Sequence, residues 1–159
     1  ARSVPMQVPQ APYQQQHVAA STPVVPLPSL SKWDNSQLDK LVETVGGEAA
    51  EKYEQKVTCC GGALAFSEPE KSQKQVRDIV EAAYDHGADM SVTPCPLCQA
   101  NVEVYQSEIN RKQGTKFAMP VTYYSQLMTV AYGGSLKEAG LDGHLIQPTK
   151  LQELAQKKS

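Results

Sequence analysis

Ala88-Asp89-Met90-Ser91-Val92-Thr93-Pro94-Cys95-Pro96-Leu97-Cys98 decides how this chain is read. Six residues with strand character run into Pro94, which cannot continue a ladder. Cys95-Pro96-Leu97-Cys98 then opens an apolar pattern of helical period, with Val102, Tyr105 and Ile109 on its inward face. Gly114 ends that pattern. A strand, a turn bearing two thiols and a helix in succession form the unit from which α/β domains are built.

Working outward, the same alternation recurs. Leu38, Leu41, Val42 and Val45 mark a helix that Asp34, Asn35 or Ser36 can cap and Gly46-Gly47 stops. Lys56-Val57-Thr58-Cys59 is a short strand candidate running into Gly61-Gly62. Ser67-Glu68-Pro69-Glu70 carries the capping hydroxyl, first-turn proline and carboxylate of a helix start. Val76, Ile79, Val80 and Ala83 form that helix's buried face, and His86-Gly87 closes it. Residues 117–124 make a third strand, edged by Pro120. Ser125 caps a last main helix carrying Leu127, Met128, Val130 and Ala131, and Ser135–Ala139 adds a further turn. The expected fold is therefore α/β: a small, mostly parallel sheet flanked by helices. In such a sheet the carboxyl ends of the first two strands lie at one edge, bringing Cys59-Cys60 and Cys95 together.

The ends of the chain differ from this body. Residues 1–33 hold six prolines, the run Gln14-Gln15-Gln16 and no acidic residue, which reads as an extended or disordered arm, either a disordered leader or a docking arm that orders on a partner. Trp33 marks its junction with the domain at 34–148. Residues 149–159 read as a solvated tail, a frayed helix.

Net charge −2 and an isoelectric point near 5.9 give no reason to expect nucleic acid or an anionic membrane as partner. No window approaches 18 uninterrupted apolar residues, so no bilayer-spanning helix is expected. The start, Ala-Arg-Ser-Val-Pro, has neither an initiator methionine nor a signal peptide's apolar core, which reads as a processed or trimmed chain.

All four cysteines sit in two motifs, Cys59-Cys60-Gly61-Gly62 and Cys95-Pro96-Leu97-Cys98, 34 residues apart. A disulfide between neighbours would be strained, because adjacent Cα atoms are only about 3.8 Å apart. Thiolate ligands in a reducing compartment suit the pattern better. Gly61 and Gly62 leave backbone N–H groups open toward cluster sulfur, and Pro96 shapes the loop. Cys98 near a helix N-terminus meets the positive end of the dipole. These residues point to an iron–sulfur cluster and electron transfer. A four-thiolate zinc site, a thioredoxin-like pair at Cys95 and Cys98, and inert cysteines are the other readings. His144 in its Gly-rich segment reads more readily as a surface or capping imidazole than as a group approaching a cluster or quinone. His86 reads as a helix end, and His17 as uninvolved. Of Tyr123 and Tyr124, one is expected in the core and one beside the site.

Val57-Thr58-Cys59-Cys60-Gly61-Gly62, Ser67-Glu68-Pro69-Glu70 and Val92 through Asn101 resemble the cysteine-rich CCG domain found in the B-subunits of heterodisulfide reductases. Met119 through Met128 and Gly140 through Leu145 extend the resemblance over about residues 35–146, the second of the two repeats such proteins carry. It implies an iron–sulfur subunit of a multi-subunit oxidoreductase, with Cys59, Cys60, Cys95 and Cys98 as ligands and Gly61, Gly62 and Pro96 around them. It also implies flavoprotein or ferredoxin-like partner subunits, at the cytoplasmic or matrix face of an energy-conserving membrane. The family's fifth cysteine has no counterpart: residues 19–29 hold Ser21, Thr22 and Ser29. Four thiolates suit an ordinary [4Fe–4S] or [2Fe–2S] cluster. The second implied reading is a non-catalytic or zinc-binding assembly subunit of a complex of the succinate dehydrogenase type.

Overall fold

A computed structural model describes residues 36–50 and 52–158. The arm, Trp33 and the caps at Asp34 and Asn35 lie outside the described residues. Helix α1 spans Ser36–Thr44, α2 Pro69–Asp85, α3 Pro96–Gln113, α4 Tyr124–Ala131 and α5 Thr149–Lys158. Strands β1 (Ser91–Thr93) and β2 (Val121–Tyr123) pair in parallel, with Val92 opposite Thr122. Helix α3 connects them. This is the expected α/β arrangement: helices around a small parallel sheet.

The sheet is smaller than the sequence suggests, for local reasons. The strand expected at Lys56–Cys59 is instead a 3₁₀ turn, Glu54–Val57, whose backbone bonds close on itself: Lys56 N–H to Tyr53 C=O and Thr58 N–H to Gln55 C=O. The strand expected over 117–124 shortens to three residues because amide side chains of α3 take its backbone partners. Gln106 accepts from Met119 N–H at 2.7 Å and donates to Met119 C=O at 2.9 Å. Asn110 does the same for Phe117, at 2.8 Å each way.

Pro69 and Gly87 fall where expected, whereas Pro96, read as shaping the Cys95 loop, lies inside α3. Pro69 and Pro96 occupy the first turns of α2 and α3, where their missing N–H has no intrahelical partner to lose. Gly87 follows α2 at φ 67°, and Ala88 N–H returns to Ala83 C=O, closing a Schellman motif. The caps differ from expectation. Glu68 caps α2 with no side-chain bond, so the Ser67 hydroxyl plays no part. At α4 the cap position is Tyr123, not Ser125, and its N–H is taken by the Gln126 side chain at 2.9 Å.

Two apolar clusters hold the domain. Val76, Val80, Ala83, Val102, Ile109, Met119 and Val121 pack where α2 and α3 meet the sheet, and Cys60 is among them. Val130, Ala139, Leu141 and Leu151 form the second. Leu151 is 1% exposed, so the segment read as a solvated tail is a helix docked by one leucine. Among the described residues no helix is long and apolar enough to cross a membrane.

Candidate metal centre

Cys95 is the N-cap of α3 and Cys98 is its third residue, so both thiols sit at the positive end of the helix. Cys95 N–H donates to Thr93 Oγ1 at 3.2 Å, tying the loop to the end of β1. Cys59 and Cys60 do not end a strand, as the sequence suggests. They enter the site on the loop between two 3₁₀ turns.

Three devices fix that loop. Tyr53 donates its hydroxyl to Ile79 C=O at 2.9 Å, and burial pushes that phenol up to about 12. Asn101 Nδ2 donates to Cys60 C=O at 2.9 Å and to Ser72 Oγ at 3.3 Å, both groups being buried. Gly61 turns at φ 72°, and a Cβ there would lie 2.1 Å from Gln75 Oε1 and 3.1 Å from Ser72 Cα. A Cβ on Gly62 would meet the Leu97 side chain at 2.8 Å. That close approach brings the Cys-Cys-Gly-Gly loop against the Cys-Pro-Leu-Cys turn.

The Cys98 thiol lies close enough to those of Cys60 and Cys95 for both to raise its pKa. Burial first, then these two thiols, push Cys98 up to about 12. Hydrogen bonding from the Cys98 backbone N–H, then from its thiol, holds Cys95 below the ordinary thiol range. The exposed Cys59 thiol accepts instead from Gly61 N–H at 3.4 Å. Among the described residues no three His, Cys, Asp or Glu side chains already stand as a metal-ion ligand set. The donor chemistry nevertheless fits a cluster: the interacting thiols of Cys60, Cys95 and Cys98 lie by the N-terminus of α3.

In the metal-free chain, iodoacetamide is expected to alkylate Cys95 before Cys98 at neutral pH. A lowered pKa populates the Cys95 thiolate at lower pH, whereas Cys98 stays a thiol until strongly alkaline pH. Peptide mass spectrometry over a pH series reads the order, and equal rates would contradict it.

The sequence misplaced one group. His144 is not a surface imidazole but 8% exposed, with Nδ1 2.7 Å from Glu103 Oε1. Its Nε2 lies 3.1 Å from Gln126 Oε1 and 3.3 Å from Gln99 Nε2. Glu103 also accepts from Val121 N–H and Leu145 N–H, each at 3.3 Å. The pair ties the 140–147 segment to α3, five residues beyond Cys98. His86, read as a helix end, bonds Ala82 C=O through Nδ1. Tyr123 and Tyr124 pack ring on ring, 4.7 Å between centroids, and both are half-buried rather than divided between core and site. Burial, then Tyr124, raises the Tyr123 phenol.

The sequence model of the CCG family, a cysteine-rich domain, matches residues 29–103, which include all four cysteines. The part of the chain that holds the thiols is thus similar to a CCG cysteine-rich domain. It is 31% identical over 121 residues to the 8-methylmenaquinol:fumarate reductase membrane anchor subunit of Wolinella succinogenes. It is 32% identical over 111 residues to the B-subunit of the ferredoxin/F420H2-dependent CoB-CoM heterodisulfide reductase of Methanosarcina acetivorans. It is 33% identical over 98 residues to a protein of Archaeoglobus profundus that is itself like the heterodisulfide reductase B-subunit. These alignments cover 76%, 69% and 60% of this chain but 42%, 37% and 32% of the relatives, so the chain spans less than half their length.

Proposed function

We propose that the chain is an iron–sulfur subunit of a multi-subunit oxidoreductase, with Cys59, Cys60, Cys95 and Cys98 as cluster ligands. The observation that carries this is the meeting of Cys60, Cys95 and Cys98 at the N-terminus of α3. A bound cluster, a [4Fe–4S] type being preferred, would supply one-electron transfer between a flavoprotein or ferredoxin-like subunit and a thiol, disulfide or quinone acceptor. The chain's own residues do the holding. The α3 dipole favours negative charge at Cys95 and Cys98. Asn101 pins the Cys60 backbone, and Gly61 and Gly62 keep side-chain bulk out of the site. Pro96 sets the backbone angle of the helix's first turn. Cys59, exposed and accepting from Gly61 N–H, would be the fourth ligand. A peripheral place on the inner face of an energy-conserving membrane fits this reading.

Anaerobic purification with iron, sulfide and zinc analysis, together with EPR of the reduced and oxidised chain, tests the proposal. About four irons per chain are expected for a [4Fe–4S] cluster, with a paramagnetic signal that Cys98→Ser abolishes. Zinc alone, or no metal, overturns it in favour of an assembly subunit.

A further inference from the structure

We infer that His144 is a proton-responsive latch holding the first turn of α3, which carries Cys95 and Cys98, against α4. The latch belongs to the chain alone, whereas its consequence for a metal centre rests on the redox reading above.

The hydrogen bonds assign the ring's resting form. Nδ1 lies 2.7 Å from Glu103 Oε1, and a carboxylate only accepts, so Nδ1 carries the hydrogen. Nε2 lies 3.3 Å from Gln99 Nε2, which only donates, so Nε2 accepts. The Gln99 amide is oriented by its other bond, from the same nitrogen to Gln126 Oε1 at 2.9 Å. Gln126 is oriented in turn, because its oxygen receives Tyr123 N–H at 2.9 Å and its nitrogen donates to Ala139 C=O at 3.0 Å. A neutral ring therefore satisfies these partners. Both hydrogens of the Gln99 amide are spent, one on His144 and one on Gln126, so one side chain joins α3, α4 and the segment that follows.

A second proton breaks that junction. It would sit on Nε2 and face the Gln99 amino group, donor against donor. The acceptor within reach is Gln126 Oε1, 3.1 Å away. That oxygen has two lone pairs and already receives Tyr123 N–H and Gln99. Tyr123 N–H is backbone at the N-cap of α4 and is fixed there. Gln99 is a half-buried side chain, so it gives way. Whether its amide turns over or swings out, its bond to Gln126 is lost. Burial does not forbid the second proton, because the Glu103 carboxylate at Nδ1 compensates the charge. Glu103 is the titratable group bonded to the ring, since Gln99 from α3 and Gln126 from α4 are neutral. Among the described residues no lysine or arginine lines the adjoining cleft, and Asp142 on the ring's own segment is exposed. The latch is thus closed with the ring neutral and opens as pH falls through its titration. Gln99 directly follows Cys98, and its backbone N–H closes the first turn of α3 on Cys95 C=O at 3.2 Å. Releasing its side chain frees that turn from α4 and lowers the cost of opening it.

The test is NMR of the full chain without metal, over about pH 5–8, the range in which histidines change charge. At the upper end, long-range proton–nitrogen spectra are expected to show a protonated Nδ1 and an accepting Nε2. On acidification Nε2 gains its proton, and in the same step the Gln99 side-chain amide signals shift. The hydrogen-exchange protection of the Gln99 backbone N–H falls with them, by at least about tenfold, a change of ~1.4 kcal/mol. Gln99→Leu separates the latch from a general loosening in acid: position 99 should show the low protection at both ends of the range while the ring still titrates. Glu103→Gln removes the compensating charge and should move the step to lower pH. A ring that carries the same protons throughout overturns the inference. So does an Nε2 that gains its proton with Gln99 undisturbed, or protection that still falls with pH in Gln99→Leu. Iron analysis of the anaerobically purified chain decides the redox reading separately. The step without iron leaves the latch standing and refutes that reading, and iron without the step does the reverse.

Discussion

Glu103→Ala is expected to destabilise the fold by about 3–5 kcal/mol, because several buried donors lose their acceptor at about 1–3 kcal/mol each. Set against a total stability of roughly 5–15 kcal/mol, that is a large share. Glu103 is 7% exposed and His144 8%, so water cannot replace what the carboxylate supplies. Its loss strips an acceptor from three donors at once: His144 Nδ1, Val121 N–H and Leu145 N–H. One of these lies in β2, so the damage reaches the sheet. Glu103→Gln keeps an amide oxygen for these donors and should cost less, about 1–3 kcal/mol. Replacing both partners, Glu103→Leu with His144→Leu, should recover much of the loss, since a matched apolar pair leaves no buried charge unpaired. Urea unfolding of the three variants, compared by linear extrapolation, reads the order directly. A cost below ~1 kcal/mol for Glu103→Ala would mean that the pair is solvated.

Much of this architecture was legible in the sequence because it depends on local signals. The helix expected to open near Cys98 and end by Gly114 follows from a 3.6-residue apolar period and a glycine stop, and the structure starts it slightly earlier, at Pro96. The burial of Val76, Val80 and Ala83 follows from the same kind of periodicity. The strands were over-read because a β-branched run such as Lys56-Val57-Thr58 records only that a backbone can extend. Whether it becomes a strand depends on a neighbour to pair with, which is tertiary information. The site divides in the same way. The cysteine pairs were expected to meet at a sheet edge, whereas Cys59 and Cys60 lie on a loop pinned by Asn101 and packed against Leu97, not at a strand end. Asn101, Glu103 and Gln106 carried a usable signal. All three are polar residues interleaved with the inward-facing Val102, Tyr105 and Ile109, and buried polar groups need partners. Their partners, Cys60, His144 and Met119, lie 41, 41 and 13 residues away, beyond what a periodicity can name.

Asn101→Ala is expected to lower stability by about 1–3 kcal/mol and to reduce iron retention sharply. The first effect follows from a buried carbonyl left without a donor. Cys60 C=O lies in the core cluster, where solvent cannot substitute for Asn101 Nδ2. The second follows from position. Once that bond is gone, the Cys59-Cys60 turn loses one of the three devices that fix it near Cys98. Asn101→Asp separates this account from simple packing. Aspartate nearly matches asparagine in volume, so a space-filling role would make it the milder change. As a hydrogen-bonding role it is the harsher one, because a carboxylate oxygen would confront the Cys60 carbonyl oxygen, and a buried charge would have no cationic partner. The expected order of stability is therefore native, then Asn101→Ala, then Asn101→Asp, with iron per chain after anaerobic reconstitution falling in the same order. Circular dichroism confirms that α3 survives in each variant, and the EPR line shape reports whether the remaining cluster keeps its ligands. An aspartate variant that matched the native chain in stability and iron content would show that Asn101 fills space and does not hold the Cys60 loop.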